Sequence, residues 1–336
     1  MPDSRTAQAF SAKVVLITGA SRGLGLLLAR RFAEAGARLA LLSRSRADVE
    51  ATRNDPALGD TEVLALGCDV TSRTEVQRAV RNVIRAYGHI DVVINNAGII
   101  KVGPFASMDE KDFEEAMGTH FWGPLYMIWA TLPYLRQRGG RMVNISSIGG
   151  VIAVPHLAPY ISSKFALSGL SEALTSELAD EGIRVTTVYP VTIRTGSPYN
   201  VAAKGRVEKE FDWFTLGDSL PLVSKNAERA ARQIVRACAA GKPRLIISTQ
   251  ARLAIMTDAV LPNVFSRIMS SIARVLPDRP RRERPEHSGW EARSGLSRSP
   301  LVGLTRRAAS HNRELDTHVR RSVEASEHDR GEEHRP

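Results

Sequence analysis

Val14-Val15-Leu16-Ile17-Thr18-Gly19-Ala20-Ser21-Arg22-Gly23-Leu24-Gly25 is an apolar, β-branched run that breaks into three closely spaced glycines. A helical pattern, Leu24–Ala35, follows at once. The order strand, glycine turn, helix has a physical use. Glycine at 19, 23 and 25 allows a tight turn and close approach of the backbone to an anion such as a pyrophosphate. The helix N-terminus then offers that anion unpaired N–H groups and the positive end of its dipole. A glycine triplet alone is weak evidence; its place between the first strand and the first helix makes it strong.

Outward from this turn the same rhythm repeats. Strand-like runs stand at Leu39–Leu42, Val63–Leu66, Val92–Ile94, Met142–Ile145, Val185–Val188 and Leu245–Ile247. Helical stretches such as Glu75–Tyr87, Lys164–Ala179 and Ala227–Ala239 lie between them. Strands alternating with helices imply right-handed crossovers and a parallel sheet. The runs are apolar throughout, as strands covered on both faces should be. The expectation is an α/β chain with a Rossmann-like, doubly wound parallel sheet of about seven strands, and no internal repeat.

The second strand bears on which dinucleotide fits. An acidic residue at its end would bind a ribose 2′-hydroxyl and repel a 2′-phosphate. Here Ser43 and Arg44 stand there, with Arg46 two further on and Arg22 in the glycine loop. A cationic, acid-free pocket favours NADP(H).

With these residues in view, the chain from 13 to about 248 resembles the short-chain dehydrogenase/reductase family. Thr18 to Gly25 looks like that family's T-G-x-x-x-G-x-G. Cys68-Asp69-Val70 looks like its D-V step, Asn95-Asn96-Ala97-Gly98 like its N-N-A-G, and Tyr160 to Lys164 like its Y-x-x-x-K. Ser147 precedes Tyr160 by the spacing of the family's catalytic serine, and Pro190 to Thr195 resembles the segment whose threonine contacts the nicotinamide side. The resemblance implies Ser147, Tyr160 and Lys164 as catalytic residues. It implies cofactor contacts from Thr18, Gly19, Ser21, Arg22, Gly23, Leu24, Gly25, Ser43, Arg44, Asp69, Val70, Asn96, Ala97, Gly98, Tyr160, Lys164, Pro190 and Thr195.

Residue chemistry agrees. Tyr160 and Lys164, four apart, share a helix face. A nearby ammonium favours the phenolate and so lowers a phenol pKa of about 10. Two departures stand out. His120, in His120-Phe121-Trp122-Gly123, occupies the place of the family's relay asparagine. It reads either as a replacement that adds a titration near neutrality or as a packed core histidine. Val191 stands where the family usually has glycine, and a β-branched side chain is barred from glycine's backbone angles.

The rest of the chain sets bounds. Its 336 residues are 43% hydrophobic, enough for a core. The formal charge of +10 suits phosphate-bearing partners. Cys68 and Cys238 read as buried thiols of a reducing compartment. No metal-ligand spacing, signal peptide or spanning run is found, so a cytoplasmic protein is expected. Residues 1–250 read as the catalytic domain, with an aromatic-rich, irregular insertion at 196–224 as a candidate substrate lid. Residues 251–276 read as an amphipathic helical extension broken at Pro262. Its apolar stripe could dock on the domain or a second subunit, line the substrate entrance, or lie in a membrane interface. Residues 277–336 read as a charged, largely disordered tail, with a helix allowed at Leu301–Ser310. From 251 on, 16 basic residues face 12 acidic ones, too even a balance for nucleic-acid binding.

The function expected is hydride transfer between NADP(H) and an apolar ketone or secondary alcohol, by a homo-oligomer. The alternative is a catalytically weak NADP-binding sensor or scaffold.

Overall fold

Residues 14 to 18 are buried along their whole length. In the computed structural model, which describes residues 4–219, 224–278, 286–288 and 303–315, they form an interior strand of a seven-stranded parallel sheet. In chain order, α1 (Ser4–Phe10) leads into β1 (Val14–Thr18), α2 (Gly23–Glu34), β2 (Arg38–Ser43), α3 (Arg46–Arg53), β3 (Val63–Gly67), α4 (Arg73–Tyr87) and β4 (Val92–Asn95). The short β5 (Lys101–Val102) precedes α5 (Glu110–Met117), α6 (Gly123–Arg136), β6 (Arg141–Ile145), α7 (Ala158–Glu177) and β7 (Arg184–Tyr189). Then follow β8 (Ile193–Arg194), β9 (Ala202–Ala203), α8 (Val207–Ser219), β10 (Lys225–Asn226), α9 (Ala227–Ala239) and β11 (Arg244–Ile246). The last described elements are α10 (Thr249–Val260), α11 (Pro262–Val275), β12 (His287–Ser288) and α12 (Gly303–His311).

The main sheet runs β11-β7-β6-β4-β1-β2-β3. Connections move outward in one direction from β1 and in the other from β4. The carboxyl ends of these two neighbours, Thr18 and Asn95, therefore open a crevice, the usual ligand position in such sheets.

Alternation along the strands divides the core. Val15 and Ile17 join Leu27, Leu28, Phe32 and Ile234 on one face, while Val14 and Leu16 join Val76, Val80, Val83 and Met127 on the other. Cys238 lies in the first core and Cys68 in the second; both are free thiols. A third apolar cluster sits past the strand ends, where Leu157, Ile161, Tyr199, Val207 and Phe211 pack beside Tyr160.

Several boundaries differ from expectation for identifiable reasons. The helix carrying the Tyr–Lys pair begins at Ala158, not Lys164, because Pro159 sits in its first turn, where a missing N–H costs nothing. The irregular stretch 196–224 contains a real helix, α8, which buries Phe211. Pro262 starts α11 rather than merely breaking a longer helix. Most of the α11 stripe remains uncovered within the chain: Phe265 is buried, whereas Val264, Ile268, Ile272 and Val275 are exposed. The tail expected to be largely solvated contributes α12, whose Thr305 and Ala309 are fully buried; residues 279–285, 289–302 and 316–336 lie outside the described residues. Among the described residues no helix is long and apolar enough to cross a membrane.

Candidate active site

The glycine turn is braced from β4. Asn96 donates through Nδ2 to the carbonyls of Thr18 (3.0 Å) and Gly19 (3.1 Å), and the Thr18 hydroxyl accepts the N–H groups of Asn96 and Ala97. Gly19 adopts φ +64°, and a Cβ there would lie 2.8 Å from Ala97 Cα. A Cβ on Gly25 would lie 2.1 Å from the Gly19 carbonyl oxygen. Only glycine fits at either place. Arg22 caps α2 in extended backbone, and Gly23 and Leu24 begin that helix.

On the adenosine side of the predicted site, Ser21 and Ser43 share a hydroxyl hydrogen bond of 3.0 Å. Arg44 beside them is exposed. The Asp69 carboxylate accepts the Thr71 N–H and hydroxyl, Val70 is buried, and Gly98 faces solvent.

Across the crevice, Ser147 follows β6 and Tyr160 and Lys164 lie in the first turns of α7. The Ser147 hydroxyl and the Tyr160 ring face the same space: a Cβ on Gly149 would lie 3.4 Å from Ser147 Oγ and 3.5 Å from Tyr160 Cε1. Lys164 donates from Nζ to the Ile145 carbonyl at 2.9 Å, and its ammonium position is 5.7 Å from the Tyr160 ring centre. The three predicted residues thus converge. Their electrostatics differ from the sequence expectation, in which the lysine lowers the phenol. Burial acts on both groups and disfavours both charges: the Tyr160 phenol is raised, with Ser147 opposing, and Lys164 is brought down to about 7. With its charge only partly retained near neutrality, Lys164 does not offset the effect of burial on the phenol.

His120 lies in a single π-helical turn, Gly118–Trp122, between α5 and α6. Its Nε2 accepts the Ile99 N–H at 3.1 Å. Nδ1 therefore carries the hydrogen and donates to the Ser163 hydroxyl at 2.8 Å, which in turn donates to the Tyr160 carbonyl at 2.8 Å. Burial and the charge of Lys164 hold the imidazole well below its usual range. Of the two readings the sequence left open, burial favours the packed core histidine over one that titrates near neutrality.

Pro190 accepts the Ile148 N–H through its carbonyl at 2.8 Å, tying this loop to the serine segment. Val191 avoids the left-handed region, so its side chain causes no backbone strain. Thr195 is buried and its hydroxyl accepts the Ser197 N–H.

The geometry fits a dinucleotide: a glycine cradle no larger residue could form, a helix N-terminus at the sheet's switch point, and hydroxyl groups at the far wall. The comparisons agree. The family model described as short chain dehydrogenase matches residues 13–204. The chain belongs to the short-chain dehydrogenase/reductase family. The 3-ketodihydrosphingosine reductase of Bacteroides thetaiotaomicron is 38% identical over 185 residues, covering 55% of this chain and 65% of that protein, just under two thirds of its length. The fatty acyl-CoA reductase of Acinetobacter baylyi is 31% identical over 261 residues, 77% of this chain and 83% of that one. Among solved structures, a 3-ketoacyl-(acyl-carrier-protein) reductase from Brucella melitensis complexed with NADH superimposes with TM-score 0.62 at 27% identity, covering 70% of this chain and 97% of that one.

Some residues of this short-chain dehydrogenase/reductase site are not legible as motifs. Ser163, inside Y-x-x-x-K, links His120 to α7. His156 and Trp213 both bond the fully buried Glu210 carboxylate, joining the loop before α7 to α8. Asn312 and Glu314 reach the glycine cradle from the far end of the chain. Their only sequence signal was the weak helical pattern before them.

Proposed function

We propose that the protein is an NADP(H)-dependent carbonyl reductase or alcohol dehydrogenase, exchanging hydride with an apolar ketone or secondary alcohol. The convergence of Ser147 and Tyr160 beside Gly149, with Lys164 one turn on and bonded to Ile145, carries the reading. NADP(H) would supply or accept the hydride. Thr18 to Gly25 would receive its phosphates, Ser43 and Arg44 its ribose phosphate, Asp69 and Val70 its adenine, and Asn96 to Gly98, Pro190 and Thr195 its inner portion.

In this reading Ser147 donates to the substrate oxygen and orients it. Tyr160, whose burial keeps the phenol protonated, gives that oxygen a proton during reduction and takes it back during oxidation. General acid–base catalysis of this kind contributes roughly 10²–10⁴-fold. Lys164 positions α7 against β6 through Ile145 and supplies positive charge when protonated. His120, neutral and bonded at both nitrogens, positions the Tyr160 backbone through Ser163.

The NADP(H) preference rests on the absence of an acid at the end of β2 and on Arg44. The relative that binds NADH makes the choice one to measure. An apolar substrate is supported by the cluster of Leu157, Ile161, Tyr199, Phe211 and partly buried Phe214, with α8 as its lid, and by the lipid-type names of two relatives. Exposed Trp122 in the π-helical turn, Trp129 on α6 and Phe165 on α7 support a homo-oligomer. Exposed Leu253, Met256, Val264 and Ile268 support membrane-peripheral contact by a cytoplasmic protein.

The test is loss of nicotinamide absorbance with a panel of long-chain ketones, NADPH and NADH side by side. Preference for NADH would remove the cofactor assignment. A Tyr160→Phe enzyme as fast as its parent would remove the mechanism.

A further inference from the structure

The cradle that fits pyrophosphate oxygens already holds oxygens of the chain itself. The Gly23 N–H, at the N-terminus of α2, donates to the Asn312 carbonyl at 2.9 Å. A Glu314 carboxylate oxygen lies 3.2 Å from Arg22 Nε. The other stands 2.3 Å from where a Cβ on Gly23 would be. These oxygens stand where those of a phosphate would: on the same donors, at the same end of the helix dipole.

The segment also crosses to the opposite wall. Asn312 Nδ2 donates to the Thr195 carbonyl at 3.0 Å, and Asn200 Nδ2 donates to Glu314 Oε2 at 2.6 Å. Ala309 packs so tightly on Gly196 that a Cβ there would be 2.3 Å from its own. Upstream, Thr305 donates to Asp218 at 2.9 Å and pairs with Ser219 at 2.7 Å, fixing α12 to the end of α8.

We propose that Asn312–Glu314 is a built-in competitor for the dinucleotide site, a carboxylate-bearing plug that must leave before the cofactor's phosphates enter, and that α12 links its departure to the α8 lid. This rests on the reading of the cradle as a dinucleotide site. A strap lying over a bound cofactor would leave the Gly23 N–H and the cradle floor open. Here the Gly23 N–H is taken by Asn312, and the Glu314 carboxyl stands against Gly23 where a phosphate oxygen would sit. The docked segment also carries costs that make it displaceable. Asn312 Oδ1 and Asp218 Oδ1 are buried with no partner among the described residues, and a buried unsatisfied acceptor weakens whatever holds it there.

The experiment uses the full chain. NADPH affinity is measured by titration calorimetry, and amide hydrogen exchange over 303–315 is followed with and without NADPH. Parent, Glu314→Ala and Thr305→Val are compared, with thermal melts confirming that each folds. Thr305 lies away from the cradle, so Thr305→Val reports on docking alone. Both variants are expected to bind NADPH about tenfold more tightly, since each loses a hydrogen bond or ion pair that holds the plug. In the parent, NADPH is expected to abolish protection over 305–314. Unchanged or increased protection on binding, or weaker binding by both variants, overturns the proposal while the cofactor reading stands. No binding of NADPH or NADH by any of the three overturns both.

Discussion

His120 and Ser163 are joined by a 2.8 Å hydrogen bond in the protein interior, and the direction of that bond is fixed by its neighbours. Ile99 uses one imidazole nitrogen and the Tyr160 carbonyl takes the serine's hydrogen. The histidine is thereby a neutral strut between the β4 loop and α7.

His120→Asn therefore leaves the shape of the kcat–pH profile superimposable on that of the parent between pH 5 and 9. Its kcat falls by less than about tenfold, the cost of loosening one buried hydrogen bond. An extra ionisation present in the parent and missing in the variant would show that the imidazole titrates during turnover.

Lys164 makes stability depend on pH. Its folded value of about 7 lies below the roughly 10.4 of an unfolded lysine. Between these values the unfolded chain binds the extra proton, so the cofactor-free protein gains stability as pH rises from 7 towards 10. Thermal melts should show this rise in the parent and its loss in Lys164→Met. An equal slope in both would place the effect elsewhere.

Phe211 anchors α8 in the cluster beside Tyr160 and is fully buried. Phe211→Ala should destabilise the protein by about 3–5 kcal/mol. It should raise KM for apolar ketones more than it lowers kcat, because the lid wall is lost and the acid–base pair is not. Steady-state kinetics on a chain-length series reads this; a fall in kcat alone would argue against a substrate-facing lid.

Glu314 gives dinucleotide affinity a pH dependence of known sign. Burial raises its carboxyl to about 7 against the opposing Arg22 and Asn200. The nearby Asp218, facing Thr305 and Arg194, is likewise raised to about 7 by burial. A released carboxylate titrates near 4.3. Docking thus takes up a proton, is strongest at low pH and weakens as pH climbs towards 7 and past it. Apparent affinity for NADPH should rise about tenfold from pH 6 to pH 8 through Glu314, and Glu314→Gln should flatten that rise.

The sheet was legible because its determinants are local. Each strand core, from Val14–Ile17 to Leu245–Ile247, is a run whose burial on both faces forces apolar composition. Thr18–Gly25 was legible because a tight anion cradle admits so few residue types, and Asn95–Gly98 through its resemblance to the family's motif. Helix starts were less so: Pro159 reads as a stop and serves as a first turn.

What the sequence determined by itself was the doubly wound sheet, the glycine turn and the spacing that offers Ser147, Tyr160 and Lys164 as candidates, since periodicity, glycine geometry and fixed spacing are short-range properties. Only the tertiary structure decided the proton affinities of Tyr160, Lys164 and His120, which follow from how much water the assembled fold excludes. It alone brought Asn312 and Glu314, some 290 residues along the chain, onto Arg22 and Gly23. A charged tail has the composition of a solvated one, and nothing in its own residues says which distant cation it will meet.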